Sequence, residues 1–231
     1  MTIPVVRQAP CNPRAAADNR RRFDAAGVVC LNLTGPVGSG KTSLIEAVLP
    51  RLGSQLRIGV IASDLATTCD AQRLGACGVP VVQVLTDGEC RLEADQVQHA
   101  LSELPLDGLD LLIIENFGSL LSQARTDLGE HLRIAAAPIS GGQAVVIKYP
   151  QLFRDAALVV LTKYDLLPHV EFDLKATRHL LERLNPQAEI ICTDSRKRLG
   201  IDRLAGWLLG YVRAHRLGPL RRVTETHPLG I

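Results

Sequence analysis

Gly35-Pro36-Val37-Gly38-Ser39-Gly40-Lys41-Thr42 decides the fold of this chain. It is a full match to G-x-x-x-x-G-K-[ST], and its flanks fit. Val28 to Leu33 reads as a buried strand, and Thr42 to Leu52 carries apolar residues at helical spacing. A strand, a glycine-rich turn and a helix in that order make a phosphate-binding loop. Gly35, Gly38 and Gly40 let backbone N–H groups turn inward, and the helix adds the positive end of its dipole. Ser39 and Ser43 add amides and hydroxyls to that ring. Lys41 is expected to reach the β- and γ-phosphates, and the Thr42 hydroxyl to ligate Mg2+.

Outward from the loop, apolar runs alternate with helical patterns. Strands are predicted at Arg57 to Ala62, Val79 to Leu85, Leu109 to Ile114, Arg133 to Ala137, Ala156 to Leu161 and Glu189 to Cys192. Helices are predicted at Pro13 to Ala26, Leu92 to Leu104, Phe172 to Leu184 and Ile201 to about His215. This alternation predicts an α/β domain of the P-loop NTPase class, a mostly parallel, doubly wound sheet covered on both faces. The domain is expected over residues 13–216. A disordered lead-in would cover 1–12, which has two prolines and no periodicity, and a loose tail would cover 217–231.

Bulk properties narrow the function. The 231 residues suit one α/β domain, and 46% hydrophobic against 22% charged residues excludes disorder as the whole-chain state. A net charge of +2 and 3% aromatic residues give no case for nucleic acid. No apolar run has membrane-spanning length, and the amino terminus lacks the basic-then-apolar order of a signal peptide. The six cysteines make no C-x-x-C pair, so a cytoplasmic setting with free thiols is expected.

The strand ends carry the chemistry, because ligands of doubly wound sheets bind beyond the carboxyl ends of the strands. Asp64 closes one strand and would hold Mg2+ through water or orient an attacking water; capping a helix is the other use for it. Leu65 to Asp70 reads as a mobile loop that senses a γ-phosphate, or Asp70 caps the helix at Ala71. Glu115 closes a fully apolar strand, with Gly118 three residues on. Hydrolases read the γ-phosphate and its metal with this pattern, Glu115 beside Mg2+ and the Gly118 amide at the phosphate. Lys41, Asp64 and Glu115 are thus the expected catalytic set.

Thr162-Lys163-Tyr164-Asp165 follows a strand in the right order after the loop and Glu115. The Asp165 carboxylate would accept two hydrogen bonds from guanine, whereas adenine offers the wrong donors. Thr162, Lys163 and Asp165 would then read the base, and Ser195, ahead of Arg196 and Lys197, would cover it from the other side.

Beyond a generic GTPase, the chain resembles the HypB family, the nickel-handling GTPases of nickel–iron hydrogenase maturation and relatives of UreG. The likeness runs from about residue 15 to 213. It is carried by Asn19-Arg20, the loop itself, Ser63 to Ala71, Glu89 to Ala94, Ile114 to Gly118 and Asp127 to Glu130, then by Lys148-Tyr149-Pro150, Leu166 to Asp173 and Asn185-Pro186. The resemblance implies slow GTP hydrolysis to GDP and dimerisation when GTP is bound. It also implies nickel or zinc at the dimer interface, a nickel metallochaperone partner and the hydrogenase large subunit as client.

The resemblance places the first interface metal ligand at Cys90. The histidine expected beside it is Arg91, and the second cysteine falls on Ser122. Arginine has no lone pair to offer and adds a charge that opposes a cation. His99 could contribute from the following helix, or sit as a surface histidine. The family's amino-terminal cysteine cluster is absent, Cys11 standing alone, as is a histidine-rich stretch, and Gly141-Gly142-Gln143 lacks the expected acidic residues. Two purposes stay open: a metallocentre-maturation GTPase, or a GTP switch that binds partners without metal. A small-substrate kinase is a third class, and no stretch marks a pocket for it.

Overall fold

The structure, a computed structural model, describes residues 3–6, 12–86, 91–117, 120–141 and 143–216. In chain order its elements are β1 (Val5–Val6), α1 (Ala15–Ala26), β2 (Val29–Thr34), α2 (Lys41–Leu52), β3 (Ile58–Asp64), α3 (Cys69–Gly75), β4 (Val81–Leu85) and α4 (Ala94–Glu103). There follow β5 (Leu111–Glu115), α5 (Leu120–Arg125), β6 (Leu132–Pro138), α6 (Ala144–Lys148) and α7 (Pro150–Arg154). The last are β7 (Leu158–Thr162), α8 (Leu174–Leu184), β8 (Glu189–Cys192) and α9 (Ile201–Arg216). Short 3-10 turns at Ile139–Gly141 and Tyr164–His169 complete the fold.

All eight strands pair in parallel, in the order β1-β4-β3-β5-β2-β6-β7-β8. β2 stands where the winding reverses. From it the chain crosses β5 to reach β3 on one side, while β6, β7 and β8 build outward on the other. The loop after β2 therefore opens on the crevice at a topological switch point.

Burial on both faces explains the continuous apolar runs. Side chains alternate along β5: Leu111 and Ile113 pack with α2 and α9, whereas Leu112 and Ile114 pack with α1 and α4. A third cluster joins Ala135 and Ala137 of β6 to Leu152, Phe153 and Leu181. Among the described residues, no helix is long and apolar enough to cross a membrane.

Three expectations need correction. The lead-in is not wholly without structure: Val5 and Val6 pair in parallel with Gln83 and Val84 at the sheet edge, and the Gln83 amide donates to Pro4 O. Strand pairing there overrides the proline signal. The loop expected to run to Asp70 ends at Thr68, because Cys69 and Asp70 already lie in α3, so Asp70 is a first-turn acid and not a cap. Helices expected from Leu92 and Phe172 begin two residues later, for local reasons. Glu93 and Gln96 form a reciprocal capping box, and the Asp173 carboxylate accepts from the Ala176 amide at 2.9 Å.

Residues that carried the resemblance also lock the fold. Asn19 is fully buried and donates to Ala94 O and Leu128 O, tying α1 to α4 and to the turn before β6. The turn itself needs Gly129. It has φ +90°, and a Cβ there would stand 2.5 Å from Ala16 O. The arginines of α1 are held locally, Arg20 on Asp127 at 2.9 Å, Arg21 on Asp18 and Arg22 toward Gln98 O.

Candidate nucleotide site

The loop between β2 and α2 is built as its residues predict. Gly35, Gly38 and Gly40 all have positive φ, and the Ser39 amide closes a tight turn on Pro36 O at 3.0 Å. Gly35 is the least replaceable of the three, since a Cβ there would lie 2.4 Å from Ala136 O of β6. Ser39 is fully buried, and its hydroxyl has no hydrogen-bond partner among the described residues. An orphaned hydroxyl in a glycine-rich turn at the start of α2 suits an oxyanion.

Lys41 folds back over the loop, its ammonium donating to Gly35 O at 3.0 Å and Pro36 O at 3.3 Å. Burial lowers its pKa, with Glu115 and Asp70 opposing. This lysine thus rests on two neutral carbonyls, a weaker setting for an ammonium than an anion would provide.

At the floor of the crevice the Thr42 hydroxyl meets Glu115 at the end of β5. Glu115 Oε2 is buried and has no hydrogen-bond partner among the described residues. Burial pushes the Glu115 carboxyl up to about 7, against the Thr42 hydrogen bond and helped by Asp70. A hydroxyl and a carboxylate with a spare oxygen are hard oxygen donors, the set that Mg2+ prefers. The residues fit that ion.

Ser63 fixes the chain where it leaves β5. Its hydroxyl donates to Glu115 O at 2.9 Å and accepts from the Phe117 amide at 2.7 Å. Asp64 next to it has its Oδ1 engaged by the Ala66 and Thr67 amides at 3.0 Å each, so in this state it shapes the turn toward α3. Arg73 of α3 reaches back to the loop side, bonding Glu46 through two nitrogens and donating to Ser43 Oγ at 3.0 Å and to Asp70.

The Thr162-Lys163-Tyr164-Asp165 stretch contributes to a cavity of about 330 Å³ that also takes in the glycine-rich loop. It is lined by Gly40 and Ser43, by Thr162, Lys163, Asp165 and Leu166, and by Asp194, Ser195 and Arg196. The structure therefore brings Asp165 and Ser195 to the lining of one pocket. Lys163 adopts the left-handed conformation (φ +58°), which re-aims the chain from β7 into the 3-10 turn. Asp194 is buried, and its Oδ1 accepts from the Arg196 and Lys197 amides, holding that part of the lining.

Several contributors were not read as site residues from the sequence, although Asn116 and Glu130 lie in stretches that carried the resemblance. Gln123 of α5 is buried against Gly35, and Asn116 donates to Asn32, which donates to Glu130. Asn32 had one legible sign, an amide inside an otherwise apolar strand; Gln123 had none. Cys90, Gly118 and the Ser122 side chain lie outside the described residues. Arg91 forms an ion pair with Glu93, and His99 is exposed on α4.

One group of three potential metal ligands does occur among the described residues, Asp24, His131 and His215, at the opposite end of the sheet. Its hydrogen bonds argue for a structural use. His131 Nδ1 accepts from the Cys30 amide at 3.0 Å, which leaves the proton on Nε2 to donate to Asp24. Ligation through Nε2 would force a proton onto Nδ1, facing the Cys30 N–H.

Comparison with known proteins agrees with this geometry. Residues 29–192 match the family model "CobW/HypB/UreG, nucleotide-binding domain". The hydrogenase maturation factor HypB of Azotobacter vinelandii is 42% identical over 198 residues, 85% of this chain. The chain spans about 65% of that relative's length. HypB of Archaeoglobus fulgidus superposes with a TM-score of 0.80 at 34% identity, covering 86% of this chain and 97% of that one. HypB of Helicobacter pylori, solved in complex with nickel, gives 0.83 at 30% identity over 87% and 95% of the two chains. The chain belongs to the CobW/HypB/UreG family, on its HypB branch.

Proposed function

We propose that this chain is a GTP-binding, slowly GTP-hydrolysing accessory protein for assembly of a metallocentre, the nickel site of a hydrogenase. The observation that carries the nucleotide half is the pocket running from Gly40 and Ser43 to Asp165 and Ser195. It joins an anion-binding loop to a carboxylate that complements guanine. In this reading Gly35, Gly38, Ser39, Gly40, Ser43 and Gly118 present donors to the phosphates, and Lys41 leaves its carbonyls to pair with them. Thr42 and Glu115 hold Mg2+, whose chemistry is to neutralise the charge that develops between the β- and γ-phosphates. Asp64 orients water, or holds the ion through water, once its turn rearranges. Two copies would associate when GTP is bound, and hydrolysis would release them and deliver nickel or zinc to a partner.

Base choice is the direct test. Asp165→Asn removes the carboxylate that accepts two guanine protons and supplies a donor instead, so preference should pass from GTP to XTP. Comparable affinity of the unsubstituted protein for ATP and GTP would refute the guanine assignment.

A specific observation favours a second reading of purpose. Arg91 stands where the resemblance expects a histidine ligand, and it pairs with Glu93. With Ser122 at the other expected ligand, GTP would then switch partner binding without metal.

A further inference from the structure

Gln123 grips the first glycine of the glycine-rich loop through both ends of its side-chain amide. Its Oε1 accepts from the Gly35 amide at 2.8 Å and its Nε2 donates to Gly35 O at 3.3 Å. The residue is 2% exposed and comes from α5, far along the chain from the loop it holds. On its other side Gly35 presses on β6, where even a methyl group would collide with Ala136 O. Gly35 is thus clamped between two elements that carry none of the phosphate-binding motif.

Helix α5 is itself fixed. Arg133 of β6 donates to Ala124 O at 3.1 Å and Thr126 O at 3.0 Å, binding the helix's carboxyl end, and its Nε donates to Glu130 at 3.0 Å. Glu130 also accepts from Asn32 of β2. Gln123 therefore stands on a support braced to β2 and β6, which gives its grip on Gly35 directional force.

The Gly35 carbonyl has a second donor, the Lys41 ammonium at 3.0 Å. Under the nucleotide-binding reading above, on which this inference rests, Lys41 must give up that bond to reach phosphate. We propose that Gln123 is a positioning residue for nucleotide binding. It holds the two peptide units on either side of the Gly35 Cα in place and supplies the carbonyl's hydrogen bond when Lys41 turns away. Without it, Lys41 would leave a buried carbonyl unpaired, a cost that would oppose nucleotide entry.

The test is release of a fluorescent GDP analogue, followed by stopped flow for the full chain and two variants. Gln123→Met fills the same space without either hydrogen bond, and release should quicken about tenfold, the scale of one to two buried hydrogen bonds. Gln123→Glu keeps an acceptor for the Gly35 amide. Ionised, it repels Gly35 O and draws Lys41 away from phosphate. Protonated, it again offers one donor and one acceptor. Its release rate relative to the unsubstituted protein should be raised more than tenfold at pH 8 and fall back toward one at acidic pH. A residue that only fills space would not show that pH-dependent rescue.

Rates equal to the unsubstituted protein in both variants, or a Glu variant whose ratio ignores pH, would overturn the proposal. Should Gln123→Met fail to fold, the pH course of Gln123→Glu decides alone. Failure of the unsubstituted protein to bind GDP would overturn the nucleotide reading as well. GDP binding by the unsubstituted protein with unchanged release rates in both variants would overturn this inference only.

Discussion

Thr162 Oγ1 donates a 2.6 Å hydrogen bond to Ser39 O, joining the end of β7 to the phosphate loop across 123 residues of sequence. Both residues are buried, Thr162 2% and Ser39 0% exposed. The first residue of the Thr162–Asp165 stretch is therefore a brace of the glycine-rich loop. The two halves of the pocket share one rigid link.

Thr162→Val keeps the shape of that side chain and strands the Ser39 carbonyl. Affinity for GTP and GDP should fall together, by roughly 5- to 30-fold for the loss of about 1–2 kcal/mol. The ratio of guanine to adenine nucleotide affinity should not change, because Asp165 is untouched. Calorimetric titration with GTP, GDP and ATP reads all three quantities. A changed base ratio at full affinity would mean that Thr162 contacts the base and does not brace the loop.

Glu115 makes the stability of the nucleotide-free protein depend on pH. Its pKa is raised from 4.5 to about 7, chiefly by burial. The folded state therefore holds a proton that the unfolded chain has released between those values. Stability should fall as pH rises from about 4.5 to 7, by roughly 3 kcal/mol for this group. Glu115→Gln keeps an acceptor for Thr42, and its thermal midpoint should lose that part of the slope. Saturating Mg2+ and nucleotide should also flatten it, because a bound cation favours the ionised carboxylate. A slope identical in the Gln variant would place the pH dependence elsewhere.

Chemistry confined to one short stretch was readable before the fold was known. Gly35 to Thr42, Glu115 at the end of an apolar strand, and Thr162 to Asp165 each carry a pattern from which a nucleotide-site role was expected, and the structure places Gly40, Thr162 and Asp165 on one pocket. The strands were equally legible because parallel strands buried on both faces need continuous apolar runs. The supports of the site were not. Gln123 and Gly35 are 88 residues apart and meet only because α5 folds back over the end of β2. The Asn116–Asn32–Glu130 chain likewise joins three separate segments. Val5 and Val6 became a strand through an edge partner that local composition does not announce.

Asp110 should govern stability at the acid end. It precedes β5 and is 6% exposed. It accepts from the Arg57 amide at 2.7 Å, from the Arg57 side chain, and from Arg216 of α9 at 2.6 Å. Burial alone would raise its pKa, yet these donors hold it at about 2. Its contribution is complete above about 3.8 and is lost as pH falls toward 2. Asp110→Asn should cost about 1–2 kcal/mol at pH 7 in urea unfolding, and much less at pH 2.5. An equal cost at both values would assign the effect to packing and not to charge.

Arg91 supplies the decisive test between the two purposes. Its pair with Glu93 is on the surface, the arginine side chain 58% exposed, so breaking it costs little stability. Arg91→His should therefore fold normally while removing a cation and adding an imidazole beside Cys90. If the chain retains a metal-handling site, the natural protein should bind Ni2+ in a Cys90-dependent way, and Arg91→His should tighten it at least tenfold. The measurement is Ni2+ and Zn2+ titration with a competing chelator, alone and with a non-hydrolysable GTP analogue, followed by size-exclusion chromatography. Dimerisation with the analogue but without stoichiometric metal, together with metal uptake only in Arg91→His, would identify a GTP switch whose ancestral metal site was closed by the arginine. Tight metal binding by the unsubstituted protein, lost in Cys90→Ala, would instead establish that other ligands complete the site and that Arg91 does not block it.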